Sequence, residues 1–158
     1  MTPIYFSGSI SGGRDDVGLY RRIVAAFERD GFEVFAGLVT SAEVGAGGES
    51  LAPEAIFARD LGWLEEVTAR GGAIVAEVTL PSHGVGYEIA AARYRFAIPV
   101  VALFRPASGR RCSAMVAGDP GVVLLEYAEG ELDALPGRVA AALRSLGAAP
   151  RRSEKRVQ

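Results

Sequence analysis

Short apolar segments alternate with longer amphipathic segments along most of the chain. Five of the short segments consist almost wholly of apolar residues and have the length of buried strands. They are residues 4–7, 32–35, 73–78, 99–104 and 122–125. Because strands of this composition are typical of parallel sheets with helices on both faces, the pattern predicts an α/β fold. We predict a single-domain, Rossmann-like or flavodoxin-like three-layer sandwich around a five-stranded parallel sheet.

The amphipathic segments predict the helices that cover this sheet. The first helix follows a capping Asp15 or Asp16 and ends at Gly31. The others begin at Pro53, cover residues 85–96 and cover residues 131–146. The apolar face of the first helix contains Leu19, Ile23, Ala26 and Phe27, and that of the second contains Ile56, Asp60, Trp63, Leu64 and Val67.

Length and composition indicate one domain. Of the 158 residues, we assign 1–149 to this domain and 150–158 to a basic tail that is predicted to be disordered. Residues 41–52, rich in glycine, alanine and serine, predict a mobile loop. A single cysteine excludes an internal disulfide, and we find no signal peptide or membrane segment, so we expect a cytoplasmic protein. The net charge of -2 argues against a nucleic-acid partner, and one histidine without spaced cysteines argues against a metal site.

Ligands of parallel α/β sheets bind beyond the carboxyl ends of the strands, so we expect a site in the loops that follow strands. The loop after the first strand is glycine-rich, and its backbone can approach an anion at the start of the next helix. It lacks the Walker pattern and the full G-x-G-x-x-G spacing, which leaves a purely structural turn as an open alternative. Candidate binding residues in this loop are Gly8, Ser9, Ile10, Ser11, Gly12 and Arg14.

Two carboxylates are candidates for chemistry. Asp60 lies on the apolar face of its helix, where it needs a partner, a cavity or an edge position that reaches solvent. Glu88 follows Gly84 and Gly86 and is predicted in the first helical turn, where the helix dipole keeps it ionised. An ionised carboxylate can attack an anomeric carbon, although acidic helix capping is the simpler interpretation.

Other polar residues leave two interpretations open. Tyr5, on the first strand, either packs with a solvated hydroxyl or reaches the same site. Residues 105–115 contain three arginines and two serines, and they form either a phosphate-facing loop or a solvated connection. His83 is interpreted as a loop residue and Cys112 as a structural one.

Four separated motifs, taken together, resemble one enzyme family. They are IYFSGSISGGR (4–14), DLGWL (60–64), VAEVTLPSHGVGYE (75–88), and LFRPASGR (103–110) with SAM (113–115). In this order they resemble the 2′-deoxynucleoside 5′-phosphate N-hydrolases, which belong to the nucleoside 2-deoxyribosyltransferase superfamily. The resemblance extends from about Ile4 to the final helix.

The resemblance implies hydrolysis of a 2′-deoxynucleoside 5′-monophosphate to free base and 2-deoxyribose 5-phosphate, through a covalent glycosyl-enzyme intermediate and without a cofactor. In that family pattern, Glu88 matches the nucleophile, Asp60 the carboxylate that assists base departure and water attack, and Tyr5 the residue that orients the nucleophile. The substrate and phosphate contacts implied outside the first loop are Ser82, Gly84, Gly86, Ser113 and Met115. Because Ser113 matches a serine that the neighbouring subunit supplies, the resemblance also implies a homodimer.

Three departures from the family pattern leave the preferred base open. Ser11 and Leu38 stand where an arginine and a histidine are expected, and residues 65–72 form a longer segment than usual. One alternative is a nucleoside 2-deoxyribosyltransferase, although such enzymes usually carry an aspartate in the loop where Ser82 stands. Another is a nucleotide-binding module without catalysis, and a ribonucleotide hydrolase is a further variant.

Overall fold

The computed structural model describes residues 2–10, 16–41 and 51–148 and confirms the predicted sheet. The strands are Pro3–Ser7 (β1), Glu33–Phe35 (β2), Ala73–Glu77 (β3), Val100–Phe104 (β4) and Val122–Glu126 (β5). In these ranges every strand pairs in parallel with its neighbours, in the spatial order β2-β1-β3-β4-β5. This order is flavodoxin-like and places β1 beside β3, where the winding of the chain changes direction.

Helices cover both faces of the sheet. They are Val17–Arg29 (α1), Pro53–Ala69 (α2), His83–Ala90 (α3), Ala114–Ala117 (α4) and Leu135–Ala148 (α5). One apolar cluster joins α1 and α5 to one face, and a second joins α2 and α3 to the other. The predicted apolar face of α1 is buried throughout. No helix within the described ranges has the length and apolar character needed to cross a membrane.

Alternation along β1 sends its side chains to opposite faces of the sheet. Ile4 and Phe6 belong to the cluster under α1 and α5, whereas Tyr5 belongs to the cluster under α2 and α3. Since successive strand residues point to opposite faces, Ser7 shares the face of Tyr5. Both are almost completely buried, with 3% and 1% exposed. β1 therefore brings two hydroxyl groups to the face that α3 covers.

The largest boundary differences from the prediction concern the last two long helices. α3 begins at His83 rather than at residue 85, and residues 91–95 continue it as a wider π-helical turn. The segment predicted as one helix over 131–146 divides into a 3-10 turn and α5. Proline is accommodated in the first turn of a helix but not in its interior, so Pro136 favours a start at Leu135. The strand ends shift by only one residue.

The acidic residue before α1 does not cap the helix with its side chain. Asp16 occupies the N-cap position without a side-chain capping hydrogen bond, and its carboxylate pairs instead with Arg105. Asp15, the tail at 150–158 and most of the predicted loop at 41–52 lie outside the described residues.

The Glu77 carboxylate is buried at the end of β3, on the α1 side of the sheet. Glu77 is 0% exposed, accepts hydrogen bonds from the Thr79 and Tyr127 hydroxyls, and lies 3.8 Å from the Arg105 guanidinium. Burial raises the pKa of Glu77, while these hydroxyls and the Arg105 charge oppose the rise. Because Arg105 also pairs with Asp16, the cluster ties together the ends of β3, β4 and α1.

We expect Arg105→Met to lower the free energy of unfolding by about 3 kcal/mol near pH 8, because Glu77 stays buried without its cation. Without Arg105, the pKa of folded Glu77 rises further above its unfolded value. The folded variant then binds more protons than the unfolded chain, so its stability falls as pH rises and the loss is smaller near about pH 5. Urea unfolding at both pH values measures this.

The control is Arg138→Met, which removes an arginine that donates to the Glu126 carbonyl near the surface. It should change stability little. Equal losses in the two variants, or a loss independent of pH, would contradict a charge-compensating role for Arg105.

Candidate active site

A cavity of about 550 Å³ opens at the carboxyl end of the sheet, beside α2 and α3. Its size falls within the range of small-ligand sites. It lies where β1 and β3 lead to helices on opposite faces, which is where ligands bind in such sheets. Tyr5 of β1, Asp60 of α2 and Glu88 of α3 line it together. Three residues that lie far apart in the sequence are thus gathered at one junction of the fold.

Two hydroxyl groups of β1 hold the Glu88 carboxylate. The Tyr5 hydroxyl donates to Oε1 at 2.7 Å, and the Ser7 hydroxyl donates to Oε2. The predicted position of Glu88 in the first helical turn is wrong, because α3 begins at His83 and Glu88 lies in its second turn. The field of a helix terminus fades within the first turn. Side-chain hydrogen-bond donors, rather than the helix dipole, therefore stabilise the Glu88 carboxylate.

Burial and hydrogen bonding act in opposite directions on this carboxylate. Burial raises the pKa of Glu88, and the charge of Asp60 adds to the rise. The hydrogen bonds from Ser7 and Tyr5 lower the pKa, as does the charge of Arg59. Burial and the neighbouring Glu88 raise the pKa of Tyr5 far above its ordinary value, so Tyr5 remains a proton donor to the carboxylate.

Asp60 faces the cavity and is paired. The Arg59 Nε and Nη2 atoms each lie 2.9 Å from Asp60 Oδ1, and both side chains are about four-fifths buried. The alternative of a helix edge that simply reaches solvent is therefore wrong. The two carboxylates of the cavity differ in their partners: Glu88 is held by neutral hydroxyls and Asp60 by a cation.

Trp63 forms the cavity wall next to this pair. Its ring centroid lies 6.2 Å from that of Tyr5, and the Arg59 guanidinium lies 5.0 Å from it. Gly37, at φ 49°, passes beneath the ring so closely that a Cβ there would approach it to 2.4 Å. Only glycine combines this backbone conformation with this contact, so Gly37 allows Trp63 to close the wall.

Several predicted binding residues also line the cavity. They are Gly8, Ile10, Ser82 and Gly84. Ser82 additionally caps α3, since its Oγ accepts from the Val85 N–H at 3.4 Å. The cavity mouth therefore includes the N-terminus of α3, where backbone N–H groups favour an anion.

Other predicted residues are not in the cavity lining. Ser9 is buried, Gly86 lies on the exposed side of α3, and Ser113 and Met115 are exposed at α4. Ser11, Gly12 and Arg14 lie outside the described residues. The predicted loop at 105–115 does not point its first arginine at the cavity, because Arg105 belongs to the Glu77 cluster. Among the described residues, no group of histidine, cysteine, aspartate and glutamate is placed to hold a metal ion.

Sequence reasoning missed two site residues, Ser7 and Arg59. Ser7 stands two residues after Tyr5, and strand alternation alone places two such residues on one face. The sequence gives no signal for Arg59, because a charged residue next to the apolar face of a helix is usually solvated. Only the structure shows that the Arg59 guanidinium packs on the ring of Trp63, which lies one helical turn later.

Comparison with known proteins identifies the family. No protein-family model matches the chain. It is 43% identical over 152 residues to "5-hydroxymethyl-dUMP N-hydrolase" from Homo sapiens, covering 87% of this chain and 84% of that protein. It is 42% identical over 121 residues to "Putative 2′-deoxynucleoside 5′-phosphate N-hydrolase 1" from Methanosarcina mazei, covering 77% and 71%. The chain belongs to the 2′-deoxynucleoside 5′-phosphate N-hydrolase family. This confirms the family that the four motifs indicate. As a member of this family, the N-hydrolase is an N-glycosidase.

We expect Ser7→Ala to raise the pKa of Glu88 in this N-hydrolase, because it removes a hydrogen bond to the ionised carboxylate. Tyr5→Phe should act in the same direction. The measurement is a carbon-13 NMR titration of the Glu88 carboxyl signal, assigned with Glu88→Gln.

Tyr127→Phe is the matched control, because it removes a buried tyrosine hydroxyl from Glu77 rather than from Glu88. It should leave the Glu88 titration in place. A Glu88 pKa that stays the same or falls in Ser7→Ala would show that this hydroxyl does not stabilise the charge.

Proposed function

We propose that this protein hydrolyses the N-glycosidic bond of 2′-deoxynucleoside 5′-monophosphates to the free base and 2-deoxyribose 5-phosphate. The observation that carries the proposal is the pair Glu88 and Asp60, which face one cavity with different partners. Two carboxyl groups in different surroundings can divide the work of glycosidic cleavage. The names of the relatives point to the same bond. A nucleotide substrate and a single cysteine also fit action in the cytoplasm.

In the first step, Glu88 is the nucleophile. One carboxylate oxygen forms a bond to C1′ while the C1′–N bond breaks and its electron pair leaves with the base. The Tyr5 and Ser7 hydroxyls orient the carboxylate and keep it from rotating away from C1′. A sugar without a 2′-hydroxyl tolerates positive charge at C1′ more readily, so this step needs neither a metal nor a cofactor.

In the second step, water hydrolyses the glycosyl ester. Asp60, after assisting departure of the base, accepts a proton from this water as its oxygen bonds to C1′. The bond between C1′ and the Glu88 oxygen breaks, which releases 2-deoxyribose 5-phosphate and restores the Glu88 carboxylate. The presence of Asp60 and Glu88 in the lining of one cavity supports this division of roles.

The phosphate contacts that we propose come from two loops. Gly8 and Ile10 bring the backbone of the glycine-rich loop to the cavity, and Ser82 and Gly84 bring the start of α3. Backbone N–H groups and serine hydroxyls at a helix N-terminus suit a phosphate group. A phosphorylated sugar also separates this reaction from the transferase alternative, which takes substrates without phosphate.

We further propose a homodimer in which Ser113 completes the site of the neighbouring subunit. Phe57 and Tyr87 are 50% and 57% exposed beside the cavity, and their rings pack at 6.0 Å. Exposed aromatic clusters of this kind are typical of protein interfaces. Met115, two residues after Ser113, is 85% exposed, and the next residue, Val116, packs against the apolar cluster under α2 and α3. A second copy of the chain would cover these side chains and bring Ser113 to the phosphate.

Activity is tested by incubation with dGMP, dCMP, dUMP and 5-substituted dUMP analogues, with release of free base followed by chromatography. Wild type should release base, and Glu88→Gln should reduce the rate by a factor of at least about 10³ while remaining folded. If folded wild-type protein releases no base from any of these nucleotides, the proposed hydrolase activity is refuted. Base exchange between deoxyadenosine and cytosine would favour the transferase, and binding without release would favour a nucleotide-binding module.

The shared site is tested by mixing two impaired variants. Ser113→Asp should weaken catalysis by repelling the phosphate, and Glu88→Gln removes the nucleophile. A mixed dimer contains one site with both native residues, so refolding an equal mixture should restore about a quarter of the wild-type sites. Equal mixtures that show only the sum of the separate activities would mean that Ser113 does not act across subunits.

A further inference from the structure

One cation lines the cavity in addition to the groups used so far. Within the described part of the chain, Arg59 is the one arginine or lysine of the cavity lining. It lies on α2 one position before Asp60 and one turn before Trp63. Leu38, where the family pattern suggests a histidine, lines the same cavity. Among the described residues, Arg59 is therefore the arginine or lysine that a ligand in this cavity meets.

The guanidinium of Arg59 is held in place from two sides. It lies 5.0 Å from the centroid of the Trp63 ring, and its Nε and Nη2 atoms both lie 2.9 Å from Asp60 Oδ1. A guanidinium fixed on an aromatic face and a carboxylate keeps a defined plane and stays charged. With its side chain only 22% exposed, its field is screened weakly by solvent.

The charge of Arg59 reaches the reacting groups. It lowers the pKa of both Glu88 and Tyr5, although burial is the larger influence on each and acts in the opposite direction. A cation close enough to affect the nucleophile is also close to whatever is bonded to C1′. In a bound nucleotide, that group is the base.

We infer that Arg59 stabilises the negative charge that develops on the departing base, an inference that rests on the proposed hydrolysis. As the Glu88 oxygen bonds to C1′, the electron pair of the C1′–N bond passes into the base and spreads onto its carbonyl oxygens. Arg59 N–H groups donate to this charge, which is larger in the transition state than in the bound substrate. The base anion then takes a proton from water, and the hydroxide that remains is neutralised by the proton that Asp60 releases after the second step. Bases that delocalise charge onto a carbonyl oxygen, such as uracil-type pyrimidines, are the class that this arrangement favours.

This role also sharpens that of Asp60. A carboxylate in contact with a guanidinium is favoured in its ionised form, which suits a group that accepts a proton from water better than a group that donates one to the base. Asp60 thus assists the departure of the base by holding Arg59 in place, and in the second step it accepts the proton of the attacking water. The simpler alternative is that Arg59 only positions Asp60.

Leaving-group dependence distinguishes these two roles. The substrates are thymidine monophosphate, dUMP and 5-fluoro-dUMP, whose bases are increasingly stable as anions, and the measurement is kcat/KM for base release. Arg59→Gln should lower kcat/KM for dUMP by about 10²–10³-fold, and clearly less for 5-fluoro-dUMP, which needs less help to depart. The plot of log kcat/KM against the pKa of the base N–H should therefore become steeper.

Arg59→Lys keeps the charge without the planar fork, so its slope should lie close to that of wild type even where its rate is lower. It also serves if Arg59→Gln does not fold. Arg70→Gln is the matched control, because it removes an exposed arginine after the last residue of α2 that pairs with Glu33. It should leave both rate and slope unchanged.

An equal loss with all three substrates in Arg59→Gln would overturn the inference and assign Arg59 to positioning alone. Unchanged rates in that variant would overturn both roles. Failure of the proposed function looks different, because wild type itself would then release no base from any of the three nucleotides.

Discussion

A carboxyl group buried at the end of a sheet must be compensated locally, and the site of this protein depends on how that is done for Glu88. Its two oxygens accept from Tyr5 and Ser7, which leave β1 on the same face. These donors are neutral, so they orient the carboxylate without the strong stabilisation that a cation would give. A carboxylate held in this way remains reactive, and its pKa stays above the ordinary range.

Three of the described carboxylates near the carboxyl end of the sheet, Glu88, Asp60 and Glu77, are compensated in different ways. Glu88 has hydroxyls, Asp60 has a guanidinium, and Glu77 has two hydroxyls with a guanidinium further away. Glu77 faces the α1 side and contributes to the integrity of the sheet edge, whereas the other two face the cavity. Similar residues at similar strand and helix ends thus acquire structural or chemical roles from their partners rather than from their own identity.

The architecture could be predicted because parallel sheets have a strong sequence pattern. Apolar strands between amphipathic helices leave few alternatives, and the strand ends shift by only one residue. The geometry of the site is harder to predict from the sequence. The motifs indicate Tyr5, Asp60 and Glu88, but the sequence predicts the start of α3 two residues late and therefore assigns the compensation of Glu88 to a helix terminus. Arg59 escaped because the pairing of a charged helix residue with an aromatic wall depends on side-chain packing, which periodicity does not describe.

The alternation along β1 has a consequence for errors in assembly. Ile4 and Phe6 are completely buried on one face, and each contributes about 2 kcal/mol through removal of its side chain from water. A slip of one residue in the pairing of β1 would disrupt the packing of both side chains and bury the two hydroxyls among the apolar residues under α1 and α5, without Glu88 as their partner. Misregistered chains would therefore be too unstable to accumulate as folded but inactive protein. The apolar residues of β1 therefore fix the register of the strand, and with it the positions of the two hydroxyl groups.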